Sequence, residues 1–320
     1  MEKNKLALLS DTHLAGCVMV DGAKREAQLI SMCTGSYAGP QIYNNGEDVR
    51  DCDALVLCKR GLQKFLMKEV CVFYTKESAS IFYQQQESGK LALRLNISFH
   101  MYTNYNPLPS EQSISLRTKR TVGANKFAPR KFVPLSMVTA DKMLKWNVMG
   151  VQGAILSQSM DPVFISSFII NARADHDELY KMICGRYPSK NVEDRRIICP
   201  KIVVMQPQAP YTLDIEPYSP GERYAVMWNI TNPEDIELVS CTSGYCWDGT
   251  PSKISDIGLL EEIKNIYTIM GIDIGNPTYN DVKYTLNTKN YFSAMDRVKQ
   301  AFRSSQMGNW VEKTRRIVEN

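Results

Sequence analysis

The sequence of 320 residues has no apolar run long enough to cross a membrane. Its most apolar stretches, such as residues 163–170, fall well short of the roughly 20 residues that a spanning helix needs. It has little charge of one sign, because 38 Lys and Arg against 34 Asp and Glu leave a net charge of +4. Such a balance argues by itself neither for nucleic acid nor for an acidic membrane. The N-terminal apolar stretch is also too short for a secretion signal. We expect an intracellular protein that does not bind membranes.

The nine cysteines include no closely spaced CxxC pair. An odd number of scattered cysteines is typical of reduced thiols in an intracellular protein. The sequence therefore predicts free thiols rather than a disulfide framework.

Signatures of catalysis are scarce as well. There are three histidines, and the sequence has no P-loop, no G-x-S-x-G motif and no G-x-G-x-x-G after a strand. His176-Asp177-Glu178 has the H-x-E spacing of a zinc deaminase, but no P-C-x-x-C follows it, so the signal is weak. His13 and His100 have no second ligand at metal-binding spacing, which favours packing roles. The residues alone thus indicate no active site.

Hydrophobic and charged fractions of 44% and 22% are those of a folded globular protein. Residues 14–20 and 27–33 predict two strands of a hairpin, with a turn at Asp21-Gly22. A helix is predicted over Asp51–Val70, with Asp51 or Asp53 as its N-cap. Buried or short strands are predicted at 163–171, 223–230 and 237–242.

A C-terminal helix is predicted over Tyr291–Gln306, because apolar side chains recur there at helical spacing: Phe292, Met295, Val298, Ala301 and Phe302. Interleaved strands and helices favour the α/β class. Neither an internal repeat nor a linker is evident, so we expect a single domain over 1–320, with residues 1–12 as a flexible N-terminus.

Several segments, in order, resemble the deaminase domain of the adenosine deaminases acting on RNA. Phe99-His-Met-Tyr102 and Leu116-Arg-Thr-Lys119 are similar to family strand motifs, and Gly150-Val-Gln-Gly153 follows a family Trp-Asn-Val element. The other similar segments are 14–19, 30–35, Asp51-Cys-Asp-Ala-Leu-Val56, Asp141-Lys142, Lys145-Trp-Asn-Val148 and Trp310-Val-Glu-Lys313. The resemblance implies a cytidine-deaminase-like core sheet flanked by helices, extended as in the RNA adenosine deaminase domain.

The positions that carry family catalysis differ here. The resemblance places the zinc-binding His at Asp53, the proton-shuttling Glu at Leu55, and the two zinc cysteines at Leu108 and Thr139. Zinc needs three good nitrogen, sulfur or oxygen donors, and it generates the hydroxide that attacks adenine. Without these donors and the Glu, the resemblance implies a degenerate deaminase domain that binds no zinc and is not an enzyme.

Active members of the family bury inositol hexakisphosphate. The resemblance assigns the matching positions here to ten residues: Lys59, Arg60, Lys142, Lys145, Tyr279, Lys283, Tyr291, Trp310, Glu312 and Lys313. A further family Lys aligns with Met295, and a small insertion precedes Tyr291. Solvated side chains would explain any one of these residues, but the set favours a retained polyphosphate, because buried cations without an anion are costly.

The most basic stretch is a candidate RNA-facing segment, formed by Arg117, Lys119, Arg120, Lys126, Arg130 and Lys131. A solvated loop explains it equally well. The Glu that occupies the space of the flipped base in the family aligns with Ala124, and no region resembles a double-stranded-RNA-binding domain. We expect RNA contact, if any, to be weak or to occur through a partner.

Two hypotheses of function follow. The first is a pseudo-deaminase that binds an active RNA adenosine deaminase in a heteromeric complex, such as a heterodimer, and regulates its stability, localisation or editing. The second is a stand-alone RNA-binding pseudo-deaminase that competes with editing enzymes or modulates them. A third, residual activity through another site, has no motif in its favour. The family resemblance places the protein inside the cell, in the nucleus rather than the cytoplasm.

Overall fold

A computed structural model describes residues 13–37, 46–109, 115–120, 135–188, 197–205, 224–285 and 288–310. The strands are β1 (Leu14–Asp21), β2 (Glu26–Thr34), β3 (Ser36–Tyr37), β4 (Cys52–Asp53), β5 (Phe82–Gln84), β6 (Leu91–Leu93), β7 (Ile97–Thr103), β8 (Thr118–Arg120), β9 (Leu135–Met137), β10 (Ile165–Asn171), β11 (Lys201–Met205), β12 (Tyr224–Asn229) and β13 (Ile236–Ser240). The helices are α1 (Ala54–Lys76), α2 (Thr139–Met149), α3 (Gly153–Leu156), α4 (His176–Tyr180), α5 (Asp256–Ile269), α6 (Tyr279–Lys283) and α7 (Lys289–Ser304). Short 3₁₀ and π-helical turns cover Glu77–Ala79 and Lys181–Gly185.

Seven strands form the central sheet in the order β11-β10-β7-β1-β2-β12-β13. The predicted hairpin is confirmed, because β1 and β2 pair antiparallel with Val20 opposite Ala27. The strand β10 lies parallel to both β7 and β11, and the other pairs of this sheet are antiparallel. The predicted α/β class is confirmed as a mixed sheet with flanking helices.

The long helix α1 packs against β1, β2 and β12 and contributes much of the main core. It begins where the sequence predicts, with Asp53 as N-cap: the Asp53 carboxylate accepts a hydrogen bond from the backbone N–H of Leu55. Leu55, Leu62 and Leu66 are fully buried along it. The first turn of α1 is thereby fixed at the centre of the molecule, next to β4.

A second, smaller core forms between α2 and α7. It contains Leu144 and Val148 from α2 and Met295, Val298 and Phe302 from α7. The predicted C-terminal helix is confirmed, and its apolar stripe is the buried face; Phe292 is the half-buried member. Residues of both helices also line a cavity described below.

The Gly150–Gly153 turn that follows α2 requires glycine at both ends. Both residues have φ of +79°, a region that favours glycine. A Cβ at Gly153 would lie 2.5 Å from Nε2 of Gln63, whose amide donates to the carbonyl of Gln152 at 2.8 Å. The turn after α2 therefore lies directly against Gln63 of α1.

The expectation that every cysteine is a free thiol is wrong in one place. Cys184 and Cys199 are paired as a disulfide, with Cα atoms 5.8 Å apart. The other seven cysteines, all within the described residues, are free and buried. Sequence spacing missed the pair because 15 positions separate its members, so no local motif marks it.

Within the described ranges, no helix is both long enough and apolar enough to cross a bilayer.

Candidate functional site

Two of the positions that the resemblance assigns to zinc ligands, Asp53 and Thr139, belong to a buried hydrogen-bond network centred on Asp53. Thr139, at the start of α2, donates its hydroxyl to Oδ2 of Asp53 at 2.6 Å. Tyr105, just after β7, donates its hydroxyl to Oδ1 of Asp53 at 2.8 Å. All three side chains are buried. The network therefore joins the ends of β7, β4 and α2, which are distant in sequence.

The other two positions supply only alkyl groups. Leu55 is fully buried in the main core, and Leu108 is half-buried and packs against the same core. The four side chains thus offer one carboxylate, whose two oxygens already accept hydrogen bonds, and one hydroxyl. This set does not fit zinc, which is held in proteins by three or four thiolate, imidazole or carboxylate ligands.

Tyr105 is held on its other side by His13, whose ring stacks on the Tyr105 ring with centroids 4.0 Å apart. Burial and the neighbouring Asp53 carboxylate raise the pKa of the Tyr105 phenol well above its ordinary value. The phenol is therefore neutral at physiological pH and acts as a permanent hydrogen-bond donor. Sequence reasoning missed Tyr105, which belongs to no motif, and predicted for His13 only the packing role that this ring contact represents.

Asp51 connects this network to a basic cavity. Its Oδ1 accepts from the backbone N–H of Asp53 at 3.1 Å, and its Oδ2 accepts from the Ser136 hydroxyl at 3.1 Å. Oδ2 also forms an ion pair with Lys142. Lys142 and Asp51 both line the cavity. A continuous chain of polar contacts thus runs from the cavity wall to the Asp53 network.

The cavity has a volume of about 1540 Å³ and lies between α1, α2, α6 and α7. Eight of the ten residues that the resemblance assigns to polyphosphate line it together. They are Lys59, Arg60, Lys142, Lys145, Tyr279, Lys283, Tyr291 and Trp310. Glu312 and Lys313 lie outside the described residues. Tertiary structure thus gathers side chains from positions 59 to 310 around one space.

The described lining carries an excess of positive charge, because eight basic side chains face four acidic ones. Each of the four acidic side chains forms an ion pair with a basic neighbour. The pairs are Arg60–Asp256 at 2.9 Å, Lys299–Asp296 at 3.1 Å, Arg50–Asp48 at 4.0 Å and Lys142–Asp51. A net excess of four positive charges remains in the described lining.

Three of these basic residues were not predicted: Arg50, Lys289 and Lys299. Lys299 is the informative one, because it lies one helical turn after Met295 on α7. Tyr291, Met295 and Lys299 follow an i, i+4 spacing and line the same cavity. Lys299 thus supplies a positive charge on the same helix face as Met295, the position to which the resemblance assigns a family Lys. The i, i+4 spacing could have revealed this residue.

Two lysines of this basic lining have lowered pKa values. Burial and the cationic Lys299 lower the pKa of Lys145 to about 8. Burial lowers the pKa of Lys283 to about 8 as well; Lys145 and Arg60 contribute to this shift, and Asp256 opposes it. Arg60 behaves differently: burial opposes its charge, but Asp256 outweighs that effect and the pKa of Arg60 is raised. Lys145 and Lys283 therefore favour a bound anion.

The candidate RNA-facing segment is described only in part. Arg117 is half-buried, and its backbone N–H donates to Oδ2 of Asp141 at 2.7 Å. Lys119 and Arg120 lie on β8, where their side chains are outside the described part, and Lys126, Arg130 and Lys131 lie outside the described residues. The structure therefore leaves the RNA-facing assignment as a prediction.

The H-x-E triplet lies on the short helix α4, away from the Asp53 network. His176 is exposed, and its closest charged neighbour is Asp177, at 3.2 Å. Among the described residues, no group of three or more His, Cys, Asp or Glu side chains is placed to hold a metal ion.

Comparison with known proteins gives a consistent result. The family model of the adenosine-deaminase (editase) domain matches residues 31–122 and 111–314. The chain is 24% identical to the double-stranded RNA-specific editase Adar of Drosophila melanogaster, over 94% of this chain and 50% of that protein. It is 23% identical to the double-stranded RNA-specific adenosine deaminase of Rattus norvegicus, over 96% of this chain and 30% of that protein.

A third similarity is to tRNA-specific adenosine deaminase 1 of Drosophila melanogaster, 26% identical over 64% of this chain and 58% of that protein. The chain thus spans about half, or less, of the length of the first two relatives.

Proposed function

Since the chain belongs to the adenosine-deaminase (editase) domain family, we propose that it is a non-catalytic member that binds an active RNA adenosine deaminase and regulates its stability, localisation or editing. The observation that carries this proposal is the Asp53 network. A carboxylate bonded to Thr139 and Tyr105, beside a buried Leu55, replaces the donors and the proton carrier that zinc-dependent deamination requires. The fold is thus retained without the chemistry.

Retention of the fold supports a role in binding. The network uses the former metal positions to connect β4, β7 and α2, so the structural contribution of a metal is supplied by hydrogen bonds. The buried polar groups of this network have hydrogen-bond partners, as is usual in folded proteins. A chain no longer under selection for its fold would be expected to lose such pairings. We infer that a surface of the domain is the feature being maintained, and that a homologous active deaminase is the partner.

The decisive experiment combines catalysis and binding. The purified chain is incubated with duplex RNA, alone and with a purified active deaminase, and inosine formation is measured. We expect no inosine from the chain alone, and a change in the partner's activity that saturates at a fixed molar ratio. Sedimentation of the mixture should show a complex of the same ratio. Inosine formed by the chain alone, or independent sedimentation of both proteins, would contradict the proposal.

We also propose that the basic cavity holds inositol hexakisphosphate. Lys59, Arg60, Lys142, Lys145 and Lys283 would neutralise its phosphates, and the net positive charge and the lowered lysine pKa values support this assignment. Such an anion, when bound, supplies charge neutralisation at the centre of the fold and takes no part in chemistry. Phosphorus and zinc analysis of the purified protein tests both assignments: about one equivalent of inositol polyphosphate and no zinc are expected.

The basic stretch from Arg117 to Lys131 favours one alternative, a stand-alone RNA-binding pseudo-deaminase. It predicts that the isolated chain binds duplex RNA with an affinity that falls steeply with salt. Weak binding that is unchanged by salt would exclude it. The heteromeric hypothesis further places the protein in the nucleus with its partner; fluorescence imaging with and without the partner tests this.

A further inference from the structure

We propose that Cys184 and Cys199 form a redox modification site, a reversible disulfide that exchanges with small disulfides such as glutathione disulfide. The two Cα atoms are 5.8 Å apart, within the range in which a disulfide forms without backbone movement. Disulfides of intracellular proteins are usually transient or redox-sensing rather than structural.

The two sulfurs differ in accessibility. Cys199 is exposed, just before the edge strand β11, whereas Cys184 is only 2% exposed at the end of the π-helical turn after α4. Cys199 is therefore the sulfur that an external thiol or disulfide can reach.

The other seven cysteines, all of which lie within the described residues, serve as an internal control for the reactivity of the pair. Each is buried. Burial raises the pKa of Cys17 and Cys58 and raises that of Cys246 to about 11, so their reactive thiolate form is disfavoured. The structure therefore predicts one reactive pair among nine cysteines.

The exchange proceeds in two steps. The Cys199 thiolate attacks one sulfur of glutathione disulfide, which forms a mixed disulfide and releases one glutathione. The Cys184 thiolate then attacks the Cys199 sulfur, which forms the internal disulfide and releases the second glutathione. The two protein thiols lose two electrons and two protons, and glutathione disulfide gains both as two glutathione molecules. Excess glutathione reverses both steps.

The pair is connected to the wall of the basic cavity. The Asn147 amide on α2 donates to the carbonyl of Ile183 at 2.9 Å and lies 3.8 Å from Sγ of Cys184. The Asn147 carbonyl accepts from the backbone N–H of Ile198, next to Cys199. The helix α2 also carries Lys142 and Lys145 into the cavity. The disulfide thus joins two segments that are each hydrogen-bonded to α2, the helix that forms part of the cavity wall.

The test equilibrates the full-length protein in glutathione buffers of graded ratio, followed by differential alkylation and mass spectrometry. We expect a peptide cross-linked through Cys184 and Cys199, and the ratio of oxidised to reduced protein should rise in proportion to the glutathione disulfide concentration divided by the squared glutathione concentration. The oxidised protein should unfold about 5 °C higher than the reduced one, because a 15-residue loop is closed. The seven buried cysteines should stay unmodified.

Three variants separate this site from general oxidation. Cys199→Ser, at an exposed position, should abolish both the cross-link and the redox dependence of the unfolding temperature. Cys184→Ser should accumulate the Cys199–glutathione adduct, because no second thiol resolves it. Cys246→Ser, a buried thiol elsewhere, should leave cross-linking unchanged. A wild-type protein in which Cys199 stays free, or carries only glutathione at equilibrium, would overturn the proposal, whatever the outcome for zinc, polyphosphate or partner.

Discussion

Replacement of Lys145 with methionine should change the stability of the protein in opposite directions, depending on whether a polyphosphate fills the cavity. Without the anion, burial and Lys299 lower the pKa of Lys145 from 10.5 to about 8. A shift of this size corresponds to an unfavourable free energy on the order of 3 kcal/mol for the charged side chain at neutral pH. Lys145→Met should therefore raise the free energy of unfolding of the anion-free protein by about 1 to 3 kcal/mol.

With inositol hexakisphosphate bound, the same substitution removes a charge-assisted contact with a phosphate. The free energy of unfolding should then fall by about 1 to 3 kcal/mol. Urea unfolding of both preparations measures the two values, and Lys68→Met, at an exposed position on α1, serves as the matched control that should change neither. Equal destabilisation of both preparations by Lys145→Met would refute the reasoning, because it would show that the ammonium group is favourable without an anion.

The pH dependence provides an independent check. Between pH 8 and 10.5 the unfolded chain holds more protons on Lys145 and Lys283 than the folded, anion-free protein does. The stability of the anion-free protein should therefore rise with pH across this window. Bound phosphates return both pKa values towards normal, so the rise should disappear in the loaded protein. A pH profile that is the same with and without the polyphosphate would contradict this account.

Two further predictions concern buried polar groups. Asp53→Ala removes the N-cap of α1 and leaves the hydroxyls of Thr139 and Tyr105 without their acceptor, so urea unfolding should show a loss of about 2 to 4 kcal/mol in stability. The control Ser255→Ala removes only the N-cap of α5 and should cost about 1 kcal/mol. Equal costs for the two variants would contradict the role of the network. The Arg186 guanidinium and the Asp141 carboxylate form an ion pair in which both side chains are fully buried. Asp141→Asn leaves the guanidinium without its anionic partner and should lower stability by about 3 to 5 kcal/mol in the same assay. A change below about 1 kcal/mol would show that water or another anion replaces the carboxylate.

The local elements of this fold could be predicted from sequence because each depends on neighbours in the chain. The hairpin of β1 and β2 follows from alternating apolar residues around a turn, and α1 from helical spacing after an N-cap at Asp53. The order of the strands could not be derived in this way. For example, β10 pairs in parallel with β7 and β11, which are distant in sequence. The residues of these strands do not specify which strand each one pairs with.

The candidate site divides in the same way. Ordered family motifs predicted eight of the residues that line the cavity. The absence of zinc stays a prediction, based on the residue types at the four positions that the resemblance assigns to catalysis. Tyr105 as the second donor to Asp53, and Arg50 as a cavity cation, came only from the structure. These residues belong to no motif, and their roles depend on which segments the sheet and helices bring together.

Residue identity by itself thus determined the chemistry that the chain can offer: no cysteine or histidine at the positions that the resemblance assigns to zinc, and many lysines and arginines in segments far apart along the chain. Tertiary structure decided which of these groups meet. It placed Asp53 beside Thr139, Lys299 beside Lys145, and Cys184 beside Cys199. The physical reason is that hydrogen bonds, charge repulsion and sulfur exchange act over a few ångströms in space, whereas a sequence specifies only separation along the chain.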